Sequence, residues 1–506
     1  MNLYAIILAL IVLTLLTVSL TRLGKVHTRA DYLVAGRSLP AFVLVFTLLS
    51  SWIGSGSLLG GAENAYRHGF AALWQAAGGW AGLALIYFIA PRARRFAQYT
   101  IPDLLEARYN QTARVLGVIA VLFTYTAITS YQFIGGGDIL HLIFPATVSA
   151  IHGRYLIAAF VILFTAIAGM SSVAYMDVAI GLLATFTLCI ALPVLIHSFG
   201  GWSAVRAALP ATHFQLFGDI YPINSHLGSN LLPDGSRERI SSALELFLPT
   251  CLLMLGNQSM YQNVIVALAV AGSAVFPTGE VHDHPREILA YVGLHGFEPK
   301  PSAITTIHLD GTVTTIATTA PAASTLSLGL LQLLGALLVG AIFAKIISTA
   351  NNYLFSPATN LVNDLFVRYL KPKASNKQVL LVSRAMVVLL GLWALYQGLH
   401  TESVLKKALY AYTIYSAALT PVILAAFYWR RATASAAVAS IFTGTFVTVF
   451  WDSAFIHTHV PAILSDRDAI FPALLASLLC LIIVSLLTPR PNLAHLTPFA
   501  ENAPTS

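Results

Sequence analysis

Long apolar stretches alternate with short polar ones along almost the whole chain. Twelve apolar runs occur, near residues 3 to 21, 40 to 62, 70 to 91, 113 to 132, 155 to 170, 173 to 198, 241 to 277, 324 to 352, 380 to 399, 408 to 428, 432 to 452 and 468 to 488. A helix of about 20 apolar residues crosses the hydrocarbon core of a bilayer, and the 241 to 277 run has room for two short crossings. The pattern predicts an all-α polytopic membrane protein with about 13 transmembrane helices.

Basic residues are concentrated in alternate loops, which predicts the orientation of the chain. Arginine and lysine cluster at 22 to 37, 92 to 114, 368 to 384 and 430 to 431, whereas the longer segments 199 to 240 and 278 to 322 are mixed in charge. Loops rich in Lys and Arg stay in the cytoplasm. We therefore expect a multi-pass protein of the plasma (inner) membrane with its N-terminus outside and its C-terminus cytoplasmic. This orientation requires the 241 to 277 run to cross twice, the second time as a short or re-entrant segment.

Composition agrees with a membrane protein and argues against other classes. Hydrophobic residues make up 57% of the 506 residues and charged residues 10%, well below the roughly 25% charge of a soluble domain. The formal net charge of +7 resides in short loops, so no nucleic-acid surface is predicted. The apolar runs contain no His-Glu-x-x-His sequence, no paired carboxylates and no nucleophile next to a base. We therefore expect neither an enzyme nor an enzymatic cofactor.

One predicted span contains glycine and serine where the others contain leucine. From Leu48 to Gly61, a segment that we call the first break, four glycines and four serines occur in fourteen residues. Such a helix opens easily, and exposed carbonyls inside a bilayer are tolerated only where protein or a water-filled cavity satisfies them. Small residues for close helix packing are the alternative explanation. The number of hydroxyl groups at mid-depth favours a broken helix that forms a binding site.

A second break is predicted in the seventh span, from Pro249 to Gln258, where a proline and the sequence Gly-Asn-Gln fall inside an apolar run. In transporters built from inverted repeats, each half contributes a discontinuous helix, and the breaks meet near the midplane of the membrane. An ordinary proline kink with an interhelical hydrogen bond is the alternative. The two breaks lie five spans apart, as two five-helix halves require, and this spacing favours paired breaks.

Five motifs, in order along the chain, resemble those of the sodium/solute symporter family. They are Asp31 to Pro40 running into the first break, Thr100 to Tyr109, Gly169 to Asp177, Ile347 to Asn352 and Pro421 to Arg431. The resemblance implies a leucine-transporter-like fold, which is a 5+5 inverted repeat with extra terminal helices. It implies an N-terminal span and loop at 1–39, a first repeat at 40–198, an outer loop at 199–240, a second repeat at 241–431 that includes the outer loop 278–322, and C-terminal spans and tail at 432–506.

The resemblance also implies a sodium site between the first break and the span around residue 348. The matching ligands are the main-chain carbonyls of Ser50, Ile53 and Lys345 and the hydroxyls of Ser348 and Thr349. Neutral oxygens of this kind replace the water around a cation. Without the resemblance, an adjacent Ser-Thr pair in a membrane helix more often bonds back to the preceding turn. Asp177 matches the family's aspartate on the ion path.

Lys345 departs from the family pattern, which has a small residue at this position. A buried ammonium group is costly unless it is paired or neutralised. Three interpretations stay open. Lys345 pairs with Asp177, or its ammonium occupies or tunes the sodium site, or its long side chain extends to the cytoplasmic interface.

Candidate substrate contacts lie near the two breaks. Four of them match positions that recognise sugar in sugar-carrying members of the family: Ser57, Thr250, Leu253 and Met254. Three more are residues of the breaks or of the expected pocket: Asn257, Trp52 and Thr413. Aromatic residues in membrane helices often serve packing or interface roles instead. A hexose needs several buried hydrogen-bond partners, and this set offers few. The sequence therefore favours a small acid, an amino acid or a similar solute.

The resemblance implies a sodium-coupled secondary active symporter that imports a small organic solute by alternating access, with sodium as the coupling ion and a lipid bilayer around it. Two alternatives stay open. After Gln262 the family usually continues with a basic residue and a cytoplasmic loop, whereas this chain goes directly to Asn263-Val264-Ile265. A missing loop would make the chain an impaired or non-transporting member, such as a solute sensor. The other alternative is proton-linked or cation-independent transport that uses Lys345.

Overall fold

The computed structural model describes residues 3–23, 40, 43, 53–96, 100–218, 220, 236–253, 262–276, 284–297, 302–307, 313–318, 325–401, 403–451, 453, 458–460, 467–492, 496 and 499. Within these residues the chain is almost entirely helical. The α-helices are α1 (Leu3–Leu23), α2 (Gly61–His68), α3 (Leu73–Phe96), α4 (Ile101–Arg108), α5 (Gln111–Ile143), α6 (Ala150–Ser198), α7 (Trp202–Ala208), α8 (Ser236–Leu253), α9 (Gln262–Val275), α10 (Ile288–His295), α11 (Thr325–Asn360), α12 (Asn376–Leu399), α13 (Val404–Ala418), α14 (Thr420–Tyr428), α15 (Ala434–Phe450) and α16 (Ile470–Leu487).

Shorter elements connect or extend these helices. A π-helical turn, Gly56–Gly60, leads into α2, and a second, Leu361–Leu370, extends α11. Three 3-10 turns occur at Gly69–Ala72, Ala211–Phe214 and Pro285–Glu287. The antiparallel strands β1 (Ser302–Ile307) and β2 (Val313–Thr318) pair with Ser302 opposite Thr318. The predicted outer loop 278–322 therefore contains a hairpin and a short helix.

Eight helical stretches of the described residues are long and apolar enough to cross a membrane. They are Gly56–Ile89, Gln111–Ile143, Ala150–Ile167, Ala174–Ser198, Gly329–Leu370, Asn376–Leu399, Val404–Tyr428 and Ile470–Leu487. Two of them belong to the continuous helix α6, and the apolar stretches Leu3–Thr14 and Ala434–Phe450 are shorter. The prediction of an all-α polytopic membrane protein is confirmed. The number of 13 spans, the domain boundaries and the orientation stay predictions.

The apolar run from 241 to 277 forms two helices. Its first part belongs to α8, which contains Pro249, and its second part is α9, with 14 residues. At 1.5 Å per residue, α9 is about 21 Å long, less than the roughly 30 Å of the hydrocarbon core. The prediction that this second part is a short or re-entrant crossing stays a prediction, because residues 254–261 lie outside the described residues.

The buried core centres on the π turn before α2 and on helix α5, which packs against both α11 and α13. Glycines allow some of these close approaches. A Cβ atom on Gly153 of α6 would lie 2.5 Å from the carbonyl oxygen of Gly137 of α5, which is too close for any side chain. Small residues at such crossings let helix backbones approach inside a membrane. The resulting scaffold holds the first break on several sides.

Polar residues fix the helix ends in the region that is predicted to face the cytoplasm. The side chains of Thr100 and Asn110 cap α4 and α5 by accepting hydrogen bonds from Asp103 N and Ala113 N. The buried guanidinium of Arg108 donates to three carbonyls at the end of α14 and just after it: Ala426, Trp429 and Ala432. Burial lowers the pKa of Arg108 from its usual value, yet a cation is favourable at a helix C-terminus. The end of α14 is therefore tied to α4.

Candidate functional site

The described part of the first break is a buried, loosened helical segment. It begins at Ile53, and the main-chain N–H groups of Ser57 and Leu58 both donate to the carbonyl of Gly54, at 3.1 and 2.8 Å. A Cβ atom on Gly54 would lie 2.7 Å from both Gln132 Oε1 and Thr349 Cγ2. Only glycine fits between α5 and α11 at this point. The predicted site residues Ser50 and Trp52 lie outside the described residues.

The structure brings two of the predicted cation ligands into contact. The hydroxyl of Thr349 on α11 donates to the main-chain carbonyl of Ile53 across a distance of 2.9 Å, and both residues are buried. Two neutral oxygens from different helices thus meet at the first break. Oxygens of this type can take the place of water around a cation.

Ser348, the neighbour of Thr349, points in another direction. Its hydroxyl donates to Oδ1 of Asp177 on α6, and Nδ2 of Asn352 donates to Oδ2 of the same carboxylate at 3.1 Å. Asp177 is fully buried. The structure therefore places Asp177, which the resemblance assigned to the ion path, directly next to the predicted cation-site helix.

Lys345 lies one turn before Ser348 on α11, and only 1% of it is exposed. Such burial does not fit a side chain that extends to the cytoplasmic interface. Lys345 is close enough to Asp177 for an electrostatic interaction. Of the three interpretations of Lys345, this geometry agrees with pairing to Asp177.

Two residues of α5 that the sequence analysis did not select line the other side of the first break. The main-chain N–H of Ser55 donates to Oε1 of Gln132 at 2.7 Å. The hydroxyl of Tyr131 lies 3.4 Å from that of Tyr412 on α13, and a Cβ atom on Gly56 would come within 3.2 Å of Tyr131 Oη and 2.9 Å of Tyr412 Oη. The only sequence signal for Gln132 is one amide inside an otherwise apolar segment.

Helix α13 contacts both the first break and helix α8 through one face. Tyr412 packs against Gly56 of the first break, and the hydroxyl of Ser416, four residues further on, donates to the carbonyl of Pro249 at 2.8 Å. Just beyond α13, the hydroxyl of Thr420, the first residue of α14, donates to the carbonyl of Leu252 at 2.9 Å. Residues four apart lie on the same side of a helix. The last turn of α8, where the second break begins, and the first break therefore meet the same helix.

The predicted substrate contacts differ in what their side chains do. Ser57 is buried at the first break and Thr413 on α13, and among the described residues the hydroxyl of Thr413 has no hydrogen-bond partner. The hydroxyl of Thr250 donates to its own helix at Leu246, at 2.9 Å, so it has only acceptor capacity left for a solute. Leu253 is buried at the end of α8. Met254 and Asn257 lie outside the described residues.

These features together define an all-helical membrane protein in which a broken helix, a hydroxyl-bearing helix and a buried carboxylate surround a candidate cation site. This is the architecture of a leucine-transporter-like secondary transporter. The model of the sodium:solute symporter family matches residues 32–444, and the chain belongs to this family of transporters. The resemblance seen in the sequence motifs is thereby confirmed, and with it the assignment to sodium-coupled symport.

Individual relatives agree with the family. The sodium/proline symporter of Staphylococcus aureus is 24% identical over 514 residues, covering 96% of this chain and 93% of the relative. The corresponding protein of strain bovine RF122 is 24% identical over 490 residues, covering 92% and 88%. Among solved structures, a Na+-coupled sialic acid symporter in a substrate-bound outward-open state has a TM-score of 0.63 at 15% identity, covering 97% of this chain and 99% of that chain. At this identity, the likeness shows a common fold.

Proposed function

We propose that this chain imports a small organic solute together with sodium by alternating access across the plasma membrane. The observation that supports it best is the contact between Thr349 Oγ1 and the Ile53 carbonyl, since it joins a broken helix to α11 through two neutral oxygens. The proposed cation ligands are the carbonyls of Ser50, Ile53 and Lys345 and the hydroxyls of Ser348 and Thr349. An entering sodium ion supplies about 2.3 kcal/mol per 100 mV of membrane potential, in addition to its concentration gradient.

The solute that we propose is a small acid or amino acid. Relatives of this chain carry the name sodium/proline symporter, and the one from Staphylococcus aureus aligns with nearly the full length of both proteins. Among the described residues, buried polar side chains around the first break include the neutral groups of Gln132, Tyr131 and Thr413. Few polar groups suit a compact solute better than a hexose with many hydroxyls.

The test is the melting temperature of the detergent-purified protein in sodium, compared with potassium and choline at equal ionic strength. A ligand that binds only the folded state stabilises it by about 2.7 kcal/mol at 100 times its dissociation constant. With an unfolding entropy of about 2.1 cal/mol/K per residue and 506 residues, this corresponds to about 2–3 °C. We expect this rise in the wild type and its loss in Thr349→Ala.

Two further variants make the result specific. Thr359→Ala removes a hydroxyl of the same helix that donates to its own backbone at Phe355, and it should keep the sodium response. Lys345→Ala tests the alternative in which the ammonium replaces or tunes sodium. An unchanged cation dependence in Lys345→Ala removes that alternative. Absence of any sodium-specific rise in the wild type would contradict sodium coupling and favour the Lys345 alternative or an impaired chain.

A further inference from the structure

The orientation of the Gln132 side-chain amide is fixed by the first break. The main-chain N–H of Ser55 is a donor, so the atom 2.7 Å away must be an acceptor, namely Oε1. The NH2 group of the same amide therefore faces away from Ser55. Gln132 is 1% exposed, and its side chain has no alternative orientation that keeps the bond to Ser55.

The NH2 group of Gln132 is a buried donor without a partner. Within the part of the chain that the structure describes, Nε2 of Gln132 makes no hydrogen bond, and the same holds for the hydroxyls of Ser55 and Thr413. An unsatisfied buried polar group costs about 1–3 kcal/mol. Such groups are rare and require an explanation. An amide NH2 can only donate, so what satisfies it must present an acceptor.

The neighbours of this amide indicate what kind of acceptor it meets. Gln132 Nε2 lies 2.8 Å from the position of a Cβ on Gly54, and Thr349 Cγ2 lies 2.7 Å from the same position. The amide of Gln132 and the side chain of Thr349 therefore both approach Gly54, and the amide lies next to the candidate cation site. An anionic acceptor at this point is close to a bound cation, and the two charges would stabilise each other in a low-dielectric surrounding.

We propose that Gln132 binds the carboxylate of the transported solute through its two amide N–H groups, and that the substrate class is small carboxylic acids, amino acids included. The assignment rests on the proposed symport function and extends it to a residue and a chemical group. Tyr131 and Tyr412, whose hydroxyls face Gly56, border the same place. A solute that binds here places its negative charge next to sodium, so that each ligand strengthens the binding of the other.

The substitution Gln132→Glu separates a binding role from a structural role. A glutamate has nearly the same shape, and one of its oxygens accepts the bond from Ser55 as Oε1 does. It lacks the NH2 donors and adds a negative charge that repels a carboxylate. If Gln132 only held the first break together, Gln132→Glu would lower the melting temperature, because it buries a charge, but would leave the difference in affinity between an acid and its amide unchanged. If it binds the solute, carboxylate binding weakens by about 10- to 100-fold, the effect of losing a hydrogen bond to a charged group.

The experiment measures melting-temperature shifts and calorimetric binding in sodium buffer with three pairs of probes. Each pair is an acid and its amide: L-proline and L-prolinamide, L-lactate and L-lactamide, propionate and propionamide. We expect at least one acid to raise the melting temperature of the wild type while its amide does not. In Gln132→Glu that acid binds about 10- to 100-fold more weakly, and the sodium-specific shift persists. Gln397→Glu is the matched control, because its Nε2 already donates to Thr126 Oγ1 at 3.2 Å.

Three results would overturn the assignment. In the first, the amides bind the wild type as tightly as their acids do. In the second, none of the acids binds the wild type. In the third, the acids bind Gln132→Glu with the same affinity as they bind the wild type. The comparison of acids with amides uses only the wild type, so it decides the question even where the variant fails to fold. A wild type without any sodium-specific shift would instead contradict the proposed symport function. The two failures are thus distinguishable.

Discussion

The guanidinium group of Arg114 connects three elements near the beginning of α5. It lies 2.7 Å from Asp103 of α4 and 2.6 Å from Asp364 in the π turn after α11, and it also donates to Glu106. The side chain of Arg114 is only 5% exposed and that of Asp364 is fully buried. Replacement by methionine, Arg114→Met, keeps a long apolar side chain in place and removes the charge that these carboxylates share.

The expected cost follows from what remains after the change. Asp364 would keep the hydroxyl of Thr100 at 3.1 Å but lose its buried positive partner. Leaving a buried charge unpaired costs about 3–5 kcal/mol. With about 2.1 cal/mol/K of unfolding entropy per residue and 506 residues, the melting temperature should fall by about 3–5 °C.

The matched control is Glu106→Gln. The side chain of Glu106 is 23% exposed, and its removal leaves Arg114 with Asp103 and Asp364. Because Glu106 is partly exposed and Arg114 keeps two carboxylates, the melting temperature should fall by less than in Arg114→Met. Thermal melts of the two purified variants in the same detergent measure both effects.

The double variant Arg114→Met with Asp364→Asn tests the explanation itself. It removes the unpaired carboxylate together with the guanidinium, so it should melt at a higher temperature than Arg114→Met alone. The reasoning is refuted if Arg114→Met melts within 1 °C of the wild type. It is also refuted if the double variant melts lower than the single one.

Two further predictions concern the first break and the opposite end of α5. Gly54→Ala places a methyl group 2.7 Å from both Gln132 Oε1 and Thr349 Cγ2. We expect this variant to lose the sodium-dependent rise in melting temperature. The control Gly329→Ala, whose methyl group meets no described atom within 4 Å, should keep that rise. Arg286→Gln removes the cation 3.1 Å from Asp138, a residue 1% exposed that keeps Arg154 at 3.8 Å. We expect Arg286→Gln to lower the melting temperature by roughly 1–3 °C and Arg286→Lys to lower it less. A wild-type melting temperature in Arg286→Gln would contradict this expectation.

The helical membrane architecture was predictable because it depends on a repeated local property, the apolar run of about 20 residues. The hairpin was not predicted, although the sequence carries a local sign of it. Asp310-Gly311 falls between two stretches rich in Thr and Ile, and an Asp-Gly pair between such stretches is typical of a tight hairpin turn. The composition of residues 278–322, mixed in charge, predicts only an outer loop.

The candidate site was only partly predictable, for a physical reason. Ile53, Thr349 and Asp177 are predicted because they match family motifs; in the structure Thr349 contacts Ile53, and its neighbour Ser348 contacts Asp177. Gln132 belongs to no motif and gives no periodic signal. Its position depends on a hydrogen bond to Ser55, 77 residues away in the chain. Contacts of this kind follow from helix packing, which a single sequence does not reveal.

The arrangement around Asp177 explains how a lysine can lie next to the proposed sodium site. Ser348 and Thr349 are adjacent on α11, yet one hydroxyl reaches Asp177 and the other reaches the first break. Lys345 lies on the Asp177 side, so the ammonium and the carboxylate together form a nearly neutral unit. An unpaired positive charge there would repel an entering cation. The same carboxylate that would guide sodium therefore offsets the charge of Lys345, and the loss of Asp177 is expected to impair cation binding more than the loss of Lys345.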